Sequence, residues 1–305
     1  MPLNARIKLR HLLCFYEIAR AGSLGEAAHA LGVTQPAASK TLREIEEILG
    51  RRLFDRTGRR LQLNAAGQVF QRHVGSALAE LERGERAIRG TLEIGAKLAI
   101  GVLPTAAGYL MPQAAMAFQA KRPECALRIS TGPNWLLLSQ LREGSLDLVV
   151  GRLGEPNLMA GLSFEQLYSE DVVPVVRGGH PVTGPVDASI LQFYTLILPP
   201  KGAAIGPLVR RYLVSVGANN AVASFETVAL PFARQVLSQS DAIWFISRGV
   251  VAQELESGKL RELALQAPMM AGPVGISLRE NSSLDHNQGV LVEQLRLTAR
   301  KMRDP

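Results

Sequence analysis

Residues 23–46, SLGEAAHALGVTQPAASKTLREIE, constrain this chain more than any other stretch, because two short helical patterns meet there across one glycine-centred turn. Ser23 stands where a cap is needed and Glu26 follows three residues on, the spacing of a capping box, while Ala27, Ala28 and Leu31 share the inward face of the helix that follows. Gly32 ends that helix, since a residue without a Cβ enters the left-handed conformation at little steric cost. The small Ala28 lets the two helices approach closely. Thr34 is placed to cap the second helix, and Pro36 falls in its first turn, where a missing N–H breaks no helical bond. Ala38, Leu42, Ile45 and Leu49 then recur at helical spacing and predict a buried face.

The opposite face carries Gln35, Ser39, Lys40 and Arg43, a set of amide, hydroxyl and cationic groups that pair with base edges and phosphates. A helix-turn-helix reads the major groove with the first turns of its second helix, where these residues stand. An ordinary amphipathic hairpin with a solvated face fits the same pattern, so the neighbouring sequence decides. Residues 53–63, LFDRTGRRLQL, place two short apolar ends around a Thr57-Gly58 turn and predict a β-hairpin wing with Arg56, Arg59 and Arg60 near its tip. Such a wing reaches phosphates or the minor groove, or is a solvated turn. From Asn64 to about Leu92, Phe70, Val74, Leu78, Leu81 and Ile88 recur three, four or seven apart and predict one long helix. With little domain beside it to cover the stripe, it is read as a linker that pairs with a second copy. Gly75 and Gly84 weaken the coiled-coil reading, and a core helix of one domain is the alternative.

Charge supports this division. Residues 1–92 hold 15 of the 34 basic and 9 of the 27 acidic residues, so the excess of positive charge lies almost wholly in the part that would meet DNA. A length of 305 residues, 47% of them hydrophobic, supports two or three domains with sizeable cores. Cys14 and Cys125 are too few and too far apart for a disulfide framework, and Cys14 falls in the first helical pattern as a core residue. The scattered histidines offer no metal site, and no cofactor is expected. The opening residues lack a signal peptide's apolar region and no apolar run is long enough to span a membrane, so a cytoplasmic protein is expected.

Residues 6–92 resemble the N-terminal part of LysR-type transcriptional regulators. The resemblance lies in Thr34-Gln35-Pro36-Ala37-Ala38-Ser39, in Ile45-Glu46, and in Leu53-Phe54 and Arg56 at the entry to the wing. Thr34 replaces the family's usual serine and keeps the capping hydroxyl, and Ile45 replaces a leucine and keeps the apolar contact. The opening ARIKLRHLLCFYEIARAGSL is similar to the subgroup that includes regulators of protocatechuate breakdown and of sugar-binding-protein synthesis. The resemblance implies a winged helix-turn-helix domain over residues 1–63, a dimerising linker helix over 64–92 and an effector-binding domain over 93–305. It implies double-stranded promoter DNA and a small-molecule effector as partners, RNA polymerase as a further one, and a homotetramer built as a dimer of dimers. Activation and repression both remain open.

Beyond Glu93, strand and helix patterns alternate at short intervals. Leu98 to Val102, Ala126 to Ser130 and Asp147 to Gly151 read as strands, with helices from about Ala107 to Lys121 and up to Gly144 between them. The alternation returns with strands at Asp171 to Val176, Thr195 to Leu198, Ala223 to Glu226 and Ala242 to Ile246, and with helices around Pro207 to Ser215 and Leu230 to Ser238. This predicts an α/β protein with parallel sheets, in which ligands collect at the carboxyl ends of strands. Two such lobes with a cleft resemble the type 2 periplasmic-binding-protein-like domain of the same family. That implies lobe I over about 93–166 and 268–305 and lobe II over about 167–267.

Strand ends supply the candidate effector residues. Thr105 and Thr131-Gly132 follow the first two strands, where hydroxyls and free backbone N–H groups favour an anion; helix capping is the alternative. Arg152 directly follows Val149-Val150-Gly151 and is read either as a cation for the effector or as a surface partner of Glu155 or Asp147. Lys201 follows a strand of the second lobe, and Phe225 and Thr227 flank Glu226 beside another. The set suits a small carboxylic acid, aromatic in preference to a sugar. An enzyme is not expected: no nucleophile elbow, Walker loop, dinucleotide fingerprint or zinc-protease helix occurs, and the adjacent Glu170 and Asp171 would point to opposite faces of a strand. A binding protein without regulatory role is the remaining alternative, weakened by the helix-turn-helix.

Overall fold

The computed structural model describes residues 4–57, 60–89, 97–265, 270–280 and 282–303, and it divides into an N-terminal unit, Met1–Leu92, and a second unit holding most of the chain from Glu93 onward. In the first unit, α1 (Leu9–Ala21), α2 (Leu24–Ala30) and α3 (Gln35–Leu49) precede a hairpin of β1 (Phe54–Thr57) and β2 (Arg60–Leu63), and α4 (Ala65–Arg89) follows. The turn between α2 and α3 forms for the reasons its sequence gives. Gly32 takes φ +65°, its N–H donates to the His29 carbonyl and that of Val33 to the Ala28 carbonyl, a Schellman ending. Ser23 Oγ accepts the Glu26 N–H at 3.5 Å, the hydroxyl half of the expected box, and Thr34 Oγ1 accepts the Ala37 N–H at 3.4 Å.

Ala27, Ala28, Ala38, Leu42 and Ile45 are buried together with Cys14, Phe15 and Ile18 of α1. Phe15 is the centre of this core, its ring 5.5 Å from Phe54 of the wing and 4.9 Å from Phe70 of α4. A fully buried phenylalanine contributes about 1.5–3 kcal/mol over an exposed one, so Phe15 ties three elements at once. The apolar stripe of α4 departs from expectation. Val74 and Leu78 are buried in this same core and Phe70 packs on it, so the domain does cover the first half of the stripe, because α1 offers a complementary face. Leu81 is 56% exposed and continues the stripe beyond the core. α4 also comes very close to the start of the wing: a Cβ on Gly67 would lie 2.0 Å from the Leu53 carbonyl oxygen.

The second unit begins with β3 (Lys97–Val102), α5 (Pro104–Ala107), α6 (Leu110–Lys121), β4 (Ala126–Ser130), α7 (Asn134–Glu143), β5 (Leu148–Arg152) and β6 (Leu162–Arg177). β3 lies parallel to both β4 and β5. Alternate side chains serve opposite faces, as the pleat requires: Leu98, Ile100, Leu148 and Val150 join one core and Val149 the other, with Leu137 and Leu138 of α7. Lobe II follows with α8 (Ala188–Phe193), β7 (Leu196–Leu198), α9 (Gly206–Ser215), β8 (Phe225–Glu226), α10 (Leu230–Gln239), β9 (Ile243–Ser247), α11 (Ala252–Glu256) and β10 (Leu260–Glu262). The chain then returns to lobe I as β11 (Ala271–Arg279) and α12 (His286–Arg303).

The sheets are mixed rather than parallel. β11 runs antiparallel to β5 and to β6, and β6 antiparallel to β9 and β10. The cause is β6, one strand of 16 residues. Its residues pair with β11 from Leu162 through Asp171 and with β9 from Val172 through Val175, so the lobes share a continuous strand and the chain crosses at 171–172 rather than near 166.

Candidate functional site

On the first unit, α3 presents Gln35, Pro36, Lys40 and Arg43 to solvent and leaves Ser39 partly covered. Thr34 is exposed and Ser23 partly buried, each acting as a cap. Arg56 falls on β1 opposite Leu61, and Arg59 lies outside the described residues. The helix is fixed from behind by contacts that sequence reading had not singled out. Cys14 Sγ donates to the Ala38 carbonyl at 3.4 Å. The buried His11 accepts the Lys8 N–H on Nδ1 at 3.1 Å, so its Nε2 carries the proton and donates to Glu44 Oε2 at 3.1 Å. Arg10 reaches the same oxygen at 3.1 Å. The His11 hydrogen bond first, and Arg10 after it, hold the Glu44 carboxyl below its usual range. α3 thus meets solvent as a rigid face of amide, hydroxyl and cation.

In the second unit a cavity of about 160 Å³ opens between the lobes. Lobe I lines it with Leu103, Pro104, Thr105, Gly132, Pro133 and Trp135, and lobe II with residues 199–205, with Thr227, Val228 and Leu230, and with the end of β9. The starts of α7, α9 and α10 border it, bringing the positive ends of helix dipoles toward one space. Lys201 adds a cation, and no carboxylate stands among the described lining residues.

Behind the wall sits Arg152, the last residue of β5, only 4% exposed. Its Nε and Nη2 donate to Ser247 Oγ at 3.3 and 3.2 Å, and Nη2 donates to the Glu170 carbonyl at 2.9 Å. Its Nη1 finds no acceptor among the described residues. Ser247 Oγ lies 3.2 Å from Thr105 Oγ1, so a buried cation, a hydroxyl of lobe II and a hydroxyl of lobe I form one chain of hydrogen bonds ending at the cavity. Burial pushes the Arg152 pKa down and that of Glu170 up; the Glu170 carboxylate accepts the Gly249 N–H and bonds the Tyr168 hydroxyl.

Of the residues expected in the cleft, the structure brings together Thr105, Gly132, Lys201 and Thr227. Thr105 is the second residue of α5 rather than its cap, and its hydroxyl is turned to Ser247. Arg152 is neither a lining residue nor a surface partner of Glu155 or Asp147; Asp147 instead accepts the Ala99 N–H at 2.8 Å and Gln288 Nε2 at 3.2 Å. Thr131 is exposed away from the cavity lining, and Phe225 packs its ring on Phe232 at 5.4 Å. Glu170 is buried and Asp171 exposed, on opposite faces of β6. Sequence reading passed over Ser247, although it ends its strand as Arg152 does, and Trp135, one of two tryptophans in the chain. Among the described residues no helix is long and apolar enough to cross a membrane, and no group of His, Cys, Asp or Glu is placed to hold a metal.

A helix-turn-helix with a polar, cationic reading face, followed by a two-lobed α/β unit with a cleft, defines a ligand-responsive DNA-binding regulator. Comparison gives the family. The family model for the bacterial regulatory helix-turn-helix protein, lysR family, matches residues 9–68, and that for the LysR substrate binding domain matches residues 93–300. The chain belongs to the LysR family of transcriptional regulators. It is 40% identical over 305 residues to the HTH-type transcriptional regulator PcaQ of Agrobacterium fabrum, covering 99% of this chain and 98% of that one. Its fold is similar to ArgP from Mycobacterium tuberculosis, with a TM-score of 0.72 at 18% identity over 96% of this chain and 97% of that one. It is similar also to full-length CbnR complexed with its target DNA, with a TM-score of 0.59 at 18% identity over 96% of this chain and all, 100%, of that one. Its curated relatives are named as transcriptional regulators, and the chain is a regulator rather than an enzyme.

Proposed function

We propose that this regulator responds to a small organic acid, with an aromatic acid as the preferred class. The observation that carries the reading is the chain from Arg152 through Ser247 to Thr105 at a cavity without a carboxylate. The nearby Glu170 carboxyl attracts the Arg152 charge, but burial pushes that carboxyl toward its neutral form, and to that extent positive potential is left for an anion in the cavity to offset. Lys201 and the bordering helix starts act in the same sense. The rest of the lining is mainly apolar, and a cavity of roughly 150 Å³ accepts a benzene-sized ring. A sugar would ask for more side-chain donors and acceptors than this lining holds.

On the DNA side, Gln35 and Ser39 read base edges, with Pro36 setting the helix start and Ser23 and Thr34 the caps. Lys40, Arg43, Arg56 and Arg59 take phosphates of a partly palindromic operator. Residues 1–63 serve as the reading domain, 64–92 as the helix that pairs two copies, and 93–305 as the effector domain. Leu81, exposed on the stripe beyond the core, supports that pairing. The working form is a dimer of dimers in the cytoplasm that changes the access of RNA polymerase to the promoter when the acid favours one arrangement. A thermal-shift screen of the full chain against aromatic acids, aliphatic acids and sugars tests the effector class, because a ligand of the native state raises the melting temperature. Stabilisation by sugars alone would overturn it.

A further inference from the structure

We infer that Trp135 is the specificity-determining residue of the cleft, covering the face of a planar, conjugated acid and thereby favouring it over saturated acids of the same size. The inference rests on the cavity holding a small organic acid. Trp135 is the second residue of α7, lines the cavity from lobe I and is 53% exposed, whereas the chain's other tryptophan, Trp244, is 2% exposed in the core of lobe II. Among the described residues the Trp135 ring makes no ring contact and its Nε1–H no hydrogen bond. A large apolar face left uncovered is costly in water, and this one stands at the edge of a ring-sized space.

The turn of lobe II forms the neighbouring wall. Gly202 adopts φ +87° in the turn of lobe II, and a Cβ added there would lie 4.0 Å from Cδ1 of the indole. A methyl there would make an ordinary contact with the edge of the ring, so the turn borders the indole directly. Pro199 and Pro200 of the same turn keep that wall stiff and apolar. A flat conjugated body lies against the exposed face of Trp135, with its carboxylate toward Thr105 and Ser247. A puckered ring of equal carbon count meets the indole only at its hydrogens.

The experiment compares benzoate, 4-hydroxybenzoate and cyclohexanecarboxylate as probes on the full-length protein by calorimetric titration, together with tryptophan emission excited at the red edge of the indole band. The expected result is a preference for the two aromatic acids of about tenfold over the saturated one, in keeping with a single aromatic contact. The preference should persist in Trp135→Phe and collapse to near unity in Trp135→Leu, which keeps apolar bulk without a π face. Aromatic acids should quench the emission of the native protein and leave that of Trp135→Phe, which reports only Trp244, unchanged. Equal affinity for all three acids, or a preference surviving in Trp135→Leu, would overturn the role of Trp135 while leaving the acid site intact. Absence of binding by every acid would overturn the acid site and this inference with it.

Discussion

Arg152 and Ser247 join the two lobes: the guanidinium on the last residue of β5 donates twice to the hydroxyl on the last residue of β9, at 3.3 and 3.2 Å. Strand ends from different lobes therefore meet in one buried contact beside the cavity. Ser247→Ala removes the acceptor from a buried charge, a loss of about 1.5–3 kcal/mol. The expected outcome is a lower melting temperature and a lost response to the acid, with operator affinity retained. Calorimetry paired with operator titrations checks it, and an unchanged melting temperature would show that the contact contributes nothing.

Gln35→Ala and Ser39→Ala should each reduce discrimination between operator and mutated operator by about 1–3 kcal/mol, the worth of a base-edge contact. Lys40→Ala and Arg43→Ala should weaken binding to all sequences alike and flatten the dependence of log affinity on log salt by about one unit per phosphate lost. Fluorescence anisotropy with both DNAs at several salt concentrations separates the two classes. Should the glutamine and serine variants lose affinity uniformly, the reading face is misassigned.

Gly67→Ala places a methyl 2.0 Å from the Leu53 carbonyl oxygen, closer than any real contact allows. α4 or the entry to the wing must shift, and overpacking of this kind costs about 1–3 kcal/mol. Operator binding should fall while titration with the acid is unaffected, because the proposed effector site is built wholly from the second unit. Circular dichroism melts of the variant, followed through its separate transitions, locate the damage; loss of acid binding would contradict it.

Glu170 sets a pH dependence. Burial raises its pKa in the folded protein above the usual carboxylate range, so the folded state holds the proton more tightly than the unfolded chain. The associated stability is complete below the usual carboxylate range and is lost as pH rises through the raised value. Glu170→Gln keeps an acceptor for the Gly249 N–H and removes the ionisation. The variant should gain stability relative to the native protein across that rising window, measured as the difference in melting temperature from mildly acidic to neutral pH. A difference that does not change with pH would count against it.

The helix-turn-helix was legible because its signals are local: Ser23, Gly32, Thr34 and Pro36 act on their own neighbours. β3 through β5 were legible for a similar reason, as runs of buried apolar residues between breakers. The first half of β6 was not, since Ser163, Glu165, Gln166 and Ser169 interrupt any apolar run, and the strand is held by pairing with β11 more than a hundred residues away. β11 itself carries Gly272, Pro273 and Gly275, which weaken its strand signal. In the cleft, Thr105 and Lys201 follow from position after a strand. The burial of Arg152 does not, because it depends on Ser247 arriving from the other lobe. Phe225 misled for the converse reason, its partner Phe232 lying on the next helix rather than across the cleft.

The return of β11 beside β5 and of α12 onto the lobe I core has a consequence during synthesis. Lobe I has no complete sheet until Ala271–Arg279 has left the ribosome, and lobe II must be made in between. At about 5–20 residues per second, that delay after Arg152 is on the order of ten seconds. The reading domain, whose buried core closes by Leu78, waits for none of it. On each new polypeptide the part that recognises DNA is finished before the part that governs it exists.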